Sequence, residues 1–313
     1  MTRVAAVDCG TNSIRLLVAD VDPAAGTLTT LDRRMTIVRL GQGVDRTGRL
    51  APEALERTFA ACREYAGVIA ELGVERTRFV ATSASRDAEN RDEFVRGVVG
   101  ILGVEPEVIT GDQEAEFSFT GATKELGADD EAGGPEYLVV DIGGGSTEFV
   151  VGRDHVTAAR SVDVGCVRLT ERHAPDSPAT AAQVAAIRAD VEAALDLAGE
   201  TVPIREPRML VGLAGSVTTV AAIALGLDAY DPSAIHRARI PYEQVKAISE
   251  RLFAATHDEK AAIGPMHPGR VDVIAVGALV LLMVMERAGA SEVVVSEHDI
   301  LDGIAWHTAL AGA

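Results

Sequence analysis

The densest chemistry in the chain lies in two short runs of the same design. Asp8-Cys9-Gly10-Thr11-Asn12-Ser13 and Asp141-Ile142-Gly143-Gly144-Gly145-Ser146 place Asp, Gly and Ser at equal offsets, each between apolar segments rich in branched residues. Glycine has no Cβ to block close approach, so backbone N–H groups in such a turn can converge on an anion. The leading aspartate repels that anion, yet it can hold Mg²⁺ directly or through water, and the metal neutralises phosphate oxygens. One such turn is an ordinary Asp-Gly hairpin. Two, one in each half of the chain, predict related domains that grip a phosphate chain from both sides of a cleft.

Positioning these turns requires strands on either side of each. Residues 4–7, 14–21 and 35–40 read as strands and 52–72 as a helix with Pro52 at its first position. Residues 78–81 form a brief strand running into Thr82-Ser83-Ala84-Ser85-Arg86, followed by a helix over 89–102, a strand over 107–109 and a helix over 113–126. Strand and helix alternate, which implies a mostly parallel sheet. Residues 127–135, GADDEAGGP, read as a linker or exposed loop, after which the pattern restarts with strands at 137–141, 147–151 and 155–162. An alanine-rich helix over 179–197, a strand over 209–213 and helices over 216–224, 243–253 and 271–288 follow. A strand over 292–295 and a helix over 300–309 close the chain.

Composition narrows the function. With 29 Lys+Arg against 47 Asp+Glu the 313-residue chain carries a formal charge of −18, and 47% of it is hydrophobic. That is an ordinary globular composition with room for two domains. The acidic balance argues against binding to nucleic acid or an anionic membrane, since affinity for such polyanions comes from Lys and Arg displacing counterions. Cys9, Cys62 and Cys166 are too few and scattered for a disulfide framework or a four-thiolate zinc site, and they fit a reducing cytoplasm. The N-terminal residues show no export signal. The apolar run 273–285 is shorter than the ~20 residues a spanning helix needs, so a buried helix is expected there.

Four segments together carry a family resemblance. Asp8 to Leu16, Thr82 to Asn90, Asp141 to Glu148 and Val211-Gly212-Leu213-Ala214-Gly215-Ser216 are similar, in order and spacing along essentially the whole chain, to the exopolyphosphatase / guanosine pentaphosphate phosphatase family. The resemblance implies an α/β fold of two ribonuclease-H-like (actin-like ATPase) domains flanking an interdomain cleft. Residues 1–126 would form the first, with a C-terminal helix at about 299–313 packing back on it, and residues 127–298 the second. It further implies Mg²⁺-dependent release of orthophosphate from the terminal phosphoanhydride of inorganic polyphosphate or guanosine pentaphosphate, in a homodimer. Another divalent ion could replace Mg²⁺, and a monovalent cation could assist.

Roles follow by position. Glu114 matches the family's general base, and the glutamate that often precedes it is here Gln113. Glu148 matches a second acid, which with Asp8 and Asp141 would make up the metal and water shell. Arg86 offers a guanidinium suited to bidentate phosphate contact. Arg15 is a second cation, either on substrate or in a structural ion pair. Gly10, Thr11, Asn12, Ser13 and Ser83 would line the first phosphate turn, and Gly143, Gly144, Gly145 and Ser146 the second. Arg168, in a family-like stretch after Gly165-Cys166, and Gly215-Ser216 would meet substrate further along the chain. Cys166 reads as a small buried hydrophobe rather than a nucleophile, and Arg270, after His267-Pro268-Gly269, either reaches the cleft or caps local carbonyls.

Two features depart from the family. The extra C-terminal helical domains of its longer members are missing, which predicts a preference for short polyphosphates. Glu297-His298-Asp299 also replaces a more basic or glycine-rich turn, with no role assigned. Two rival readings share the superfamily's features: a small-molecule kinase, because Gly212 to Ser216 falls where kinases place the nucleoside, and a catalytically silent ligand sensor.

Overall fold

The computed structural model describes residues 1–126, 136–207 and 209–311, so the expected linker at 127–135 lies outside the described residues. The chain divides into two compact units, Met1–Gly121 with Ile300–Ala313, and Ala122–Asp299.

The first unit is built on strands β1 (Thr2–Cys9), β2 (Ser13–Asp22), β3 (Thr27–Ile37), β4 (Arg76–Ala81) and β5 (Glu107–Val108). Their order is β3-β2-β1-β4-β5, with β1 to β3 antiparallel and β4 and β5 parallel to β1. Successive β1 side chains face opposite sides of the sheet. Ala5 and Val7 join a core with Ile14, Leu16, Tyr65, Phe79 and Phe94, which belong to the sheet and to the helices Pro52–Glu71 and Arg91–Leu102. Val4 and Ala6 face the other way, into a cluster with Leu17, Val80 and Phe117 that is closed by Ile300, Leu301, Ile304 and Trp306 of the helix Ile300–Leu310. That helix fits because Gly303 lies against Phe117, where a Cβ would sit 2.0 Å from the carbonyl oxygen. Arg33 on β3 pairs with the buried Asp302 of the same helix.

The second unit repeats the plan. β6 (Tyr137–Ile142), β7 (Thr147–Gly152), β8 (Val156–Val162), β9 (Met209–Leu213), β10 (Arg239–Pro241) and β11 (Glu292–Val295) form a sheet of order β10-β11-β9-β6-β7-β8. Read from β8, five of its strands reproduce the first sheet's order and directions, and β10 is an added antiparallel edge. The apolar run at 273–285 becomes the helix Ile274–Ala288, buried at every residue from Ile274 to Met285. Among the described residues, no helix is long and apolar enough to cross a membrane. Two matched sheets of this topology are the two-domain, actin-like ATPase fold.

Three local differences from the sequence reading have simple causes. β3 starts at Thr27 rather than 35, because it is an edge strand whose polar, exposed residues carry no apolar signal. The stretch after Gly165 is a helix, Cys166–His173, and the Thr-Ser turn opens a short helix, Ser83–Asp87. Neither is long enough to show helical periodicity in sequence.

Candidate active site

In the first unit the hairpin between β1 and β2 closes with the Gly10 N–H donating to the Ser13 carbonyl at 3.0 Å. The carbonyls of Thr11 and Asn12 are turned back onto the following loop: Asn12 accepts from the N–H groups of Val38 and Arg39, and Thr11 accepts from Gly41. Among the described residues, no backbone acceptor is recorded for the N–H groups of Thr11 and Asn12. That is the polarity an anion-binding turn needs. The Thr11 hydroxyl lies 2.9 Å from that of Ser83, tying the turn to the helix Ser83–Asp87, which follows β4 and bears Arg86 in its last turn. Asp8 and Arg15 are direct cross-strand partners, and Nε and Nη2 of Arg15 both donate to Asp8 Oδ2, at 3.0 and 2.7 Å.

Arg86 and Glu114 meet in the same unit. The Nη1 group of Arg86 donates to the Ile109 carbonyl at 3.0 Å and lies 3.4 Å from Glu114 Oε2. Glu114 is buried on the first turn of the helix Gly111–Leu126. Its neighbour Gln113 is exposed and turned back, accepting from the Thr110 N–H at 3.0 Å while its own N–H donates to the Thr110 hydroxyl. That is a capping box, Thr110 with Gln113, which explains how an amide serves where the family often has an acid.

In the second unit the Gly143 N–H donates to the Ser146 carbonyl at 3.1 Å, matching the first turn. Here the strap is the helix Cys166–His173: Cys166 N–H donates to Gly143, and Val167 and Arg168 N–H to Gly144. Arg168, an expected substrate contact, donates from Nε to the Gly145 carbonyl of this turn at 2.7 Å. The close approach requires Gly165, where a Cβ would sit 2.4 Å from the backbone of Gly144. No backbone acceptor is recorded among the described residues for the N–H groups of Gly144 and Gly145.

Asp141 and Glu148 are direct cross-strand partners, hence on one face of the hairpin, and both are buried. The Ser161 hydroxyl donates to Glu148 Oε1 at 2.7 Å. Two buried carboxylates side by side repel unless a cation lies between them. Among the described residues no three acidic, histidine or cysteine side chains form a ready-made cage. Two carboxylates still fit Mg²⁺, a hard ion that commonly takes one or two protein oxygens and completes its shell with water and substrate phosphate. Asp8 is ion-paired with the Arg15 guanidinium.

Gly215 and Ser216 start the helix Ala214–Ala224. Arg270 lies over Gly215, where a Cβ would be 2.2 Å from its Nη2, and donates to the Thr219 hydroxyl at 3.0 Å. Ser216 is buried beside Gly277 and hydrogen-bonds to Cys166, whose thiol is pushed up by burial. A protonated buried thiol is inert. Arg270 is the functional candidate that motif spacing understated; its signal is the absence of a side chain at position 215. Glu297-His298-Asp299 forms a folded corner in which the Glu297 N–H donates to His236 Nδ1 and the His236 and His298 rings meet edge to face at 4.8 Å.

Two phosphate-type turns on two actin-like units define a phosphoryl-handling protein of that superfamily. The chain belongs to the Ppx/GppA phosphatase family, whose profile matches residues 17–310. It is 51% identical to Exopolyphosphatase 2 of Mycobacterium tuberculosis over 97% of this chain and 98% of that protein. The crystal structure of an exopolyphosphatase-like protein superposes with a TM-score of 0.94 at 44% identity, covering 100% of this chain and 99% of the other. An Aquifex aeolicus Ppx/GppA family member gives 0.82 at 31% identity, covering 99% and 98%.

Proposed function

We propose that the protein is an exopolyphosphatase that hydrolyses the terminal phosphoanhydride of inorganic polyphosphate by attack of water, with Glu114 as general base. The observation that carries this reading is the pairing of buried Glu114 with Arg86 beside the first phosphate turn. The guanidinium holds the carboxylate in place, where it would accept a proton from water, and its remaining donors suit phosphoryl oxygens. In the first unit the backbone N–H groups at 11–12 would bind phosphate oxygens, and those at 144–145 offer the same donors within the second. Within the second unit Asp141 and Glu148 would seat Mg²⁺, an ion that when bound would supply charge neutralisation to phosphate oxygens. Arg15 would then orient Asp8 and fix the turn from within its hairpin.

The finer parts of the reading are a preference for short chains, a homodimer, and action in a reducing cytoplasm, which suits three free, buried cysteines. Orthophosphate release is measured with Mg²⁺ on short polyphosphate, long polyphosphate, guanosine pentaphosphate and ATP, for the natural protein and Glu114→Gln. Polyphosphate should rank first, and the variant should lose about 10²- to 10⁴-fold in kcat. A variant with undiminished turnover removes Glu114 from the role, and guanosine pentaphosphate ranking first replaces the substrate.

A further inference from the structure

The loop after β3 reverses the electrostatics of the rest of the chain. A pocket of about 640 Å³ lies between this loop and the start of the helix Pro52–Glu71, lined by Gln42, Arg46, Thr47, Arg49, Glu53 and Arg57 among others. Acids outnumber bases 47 to 29 in the whole chain, yet three arginines and one glutamate line this pocket. Arg57 is fixed by its Nε donating to the Val38 carbonyl at 2.8 Å and Nη2 to Gln42 Oε1 at 3.2 Å. Its partners are neutral, so its charge is uncompensated. Arg46 has no carboxylate partner among the described residues, and Arg49 is held loosely by Glu89 and Glu93, at 3.7 and 3.9 Å. The helix opens at Ala51 with no side-chain cap, adding the positive end of its dipole.

The loop that lines the pocket is fastened to the first phosphate turn. Val38 and Arg39 donate to the Asn12 carbonyl and Gly41 to Thr11, one residue before the pocket's Gln42. Gly41 is pressed so closely on the turn that a Cβ would lie 2.3 Å from Thr11 Cγ2.

We propose that the Arg46, Arg49 and Arg57 pocket is a second phosphoanhydride-binding site, which takes distal phosphates of the chain whose end is held at the Gly10–Ser13 turn. The assignment rests on the polyphosphate reading above and deepens it. A guanidinium held by neutral groups, with two further arginines beside it, suits successive anionic groups better than a single carboxylate ligand. The pocket lengthens the grip on substrate by a few phosphates.

The test is KM and kcat against chain length for the natural protein, Arg46→Gln/Arg57→Gln and Arg46→Gln/Arg49→Gln. The second double variant spares the Arg57 contact to Val38, so that loss of folding around the turn is not mistaken for loss of the pocket. In the natural protein KM should fall as chains become long enough to reach the pocket. Both variants should flatten that dependence, with a rise of about tenfold in long-chain KM, carried by KM rather than kcat and weakened by added salt. Glu53→Gln should lower long-chain KM.

A length dependence identical in all proteins overturns the assignment. The ligand could instead be a free oligophosphate. In that case tripolyphosphate would bind Glu114→Gln protein at a second stoichiometric site that the arginine variants abolish, while long-chain KM stays fixed, and this result overturns the distal-phosphate role. Should no polyphosphate be turned over at all, direct binding of labelled long chains still decides: weaker binding by both variants supports the pocket, and equal binding overturns it.

Discussion

Asp8 and Asp141 hold the same place in two hairpins of one design, each opening a turn closed by the same Gly-to-Ser backbone hydrogen bond. Across the ladder, however, Asp8 faces Arg15 and Asp141 faces Glu148. The first hairpin therefore carries an ion pair across its ladder. The second places two buried carboxylates side by side. One ladder position thus sets an acid against a base in one hairpin and an acid against an acid in the other. The supports differ as well: loop backbone and a threonine methyl behind the first turn, a helix start and a glycine-to-glycine contact behind the second.

The contrast is broken most directly by removing each aspartate. Asp141→Asn should cut turnover at fixed Mg²⁺ by about 10²- to 10³-fold and raise the Mg²⁺ concentration for half-activity. Asp8→Asn should leave that midpoint within about threefold, because its carboxylate is engaged by arginine. Equal shifts in Mg²⁺ titrations of the two variants would return Asp8 to the metal shell.

Stability should separate the hairpins in sign. Arg15→Gln leaves the buried Asp8 carboxylate without its cation and should cost about 2 kcal/mol in urea unfolding, recovered largely by adding Asp8→Asn. Glu148→Gln removes a like charge from beside Asp141 and should be neutral or stabilising in metal-free protein, since the amide oxygen can still accept from Ser161. A loss of stability there would mean that the two acids are not repelling each other.

Smaller effects test the supports. Gly165→Ala must displace backbone of Gly144 and Gly145 and should cost about 1–2 kcal/mol, whereas Gly41→Ala meets chiefly the Thr11 methyl and should cost less. The smallest effect is a pH dependence confined to the second unit. His267 Nδ1 accepts from the Gly269 N–H, and burial, with Arg270 adding to it, holds its pKa below the ordinary 6.5. A depressed folded pKa contributes stability that is full above about 6.5 and lost as pH falls through the lower folded value. Unfolding midpoints measured from pH 7 downward should therefore fall less steeply in His267→Asn than in the natural protein.

Much of this was legible along the chain. The two Asp-Gly-Ser turns, the strands beside them, Arg86, Glu114 and the duplicated order are local patterns, and a strand or turn carries its signature in consecutive residues. β3 and β10 were harder because edge strands need not be apolar, and the helix Cys166–His173 was hidden by its shortness. The contact of Arg168 Nε with the Gly145 carbonyl was not legible, since sequence position says nothing about which backbone group a guanidinium reaches.

By itself, the sequence determined the class of fold, the two phosphate turns and the acids and arginines available to them, because those depend on residue type and short-range spacing. Only the tertiary structure decided which charges neighbour which. Ladder register placed Arg15 against Asp8 and Glu148 against Asp141, and β4 with the helices after it brought Arg86 to Glu114. The loop at 38–51, fastened to the first turn, brought its Arg46 and Arg49 beside Arg57 of the helix Pro52–Glu71 in an acidic protein. Coulomb and hydrogen-bond energies fall away within a few ångströms, so function rests on proximities that strand pairing and core packing create between residues far apart in the chain.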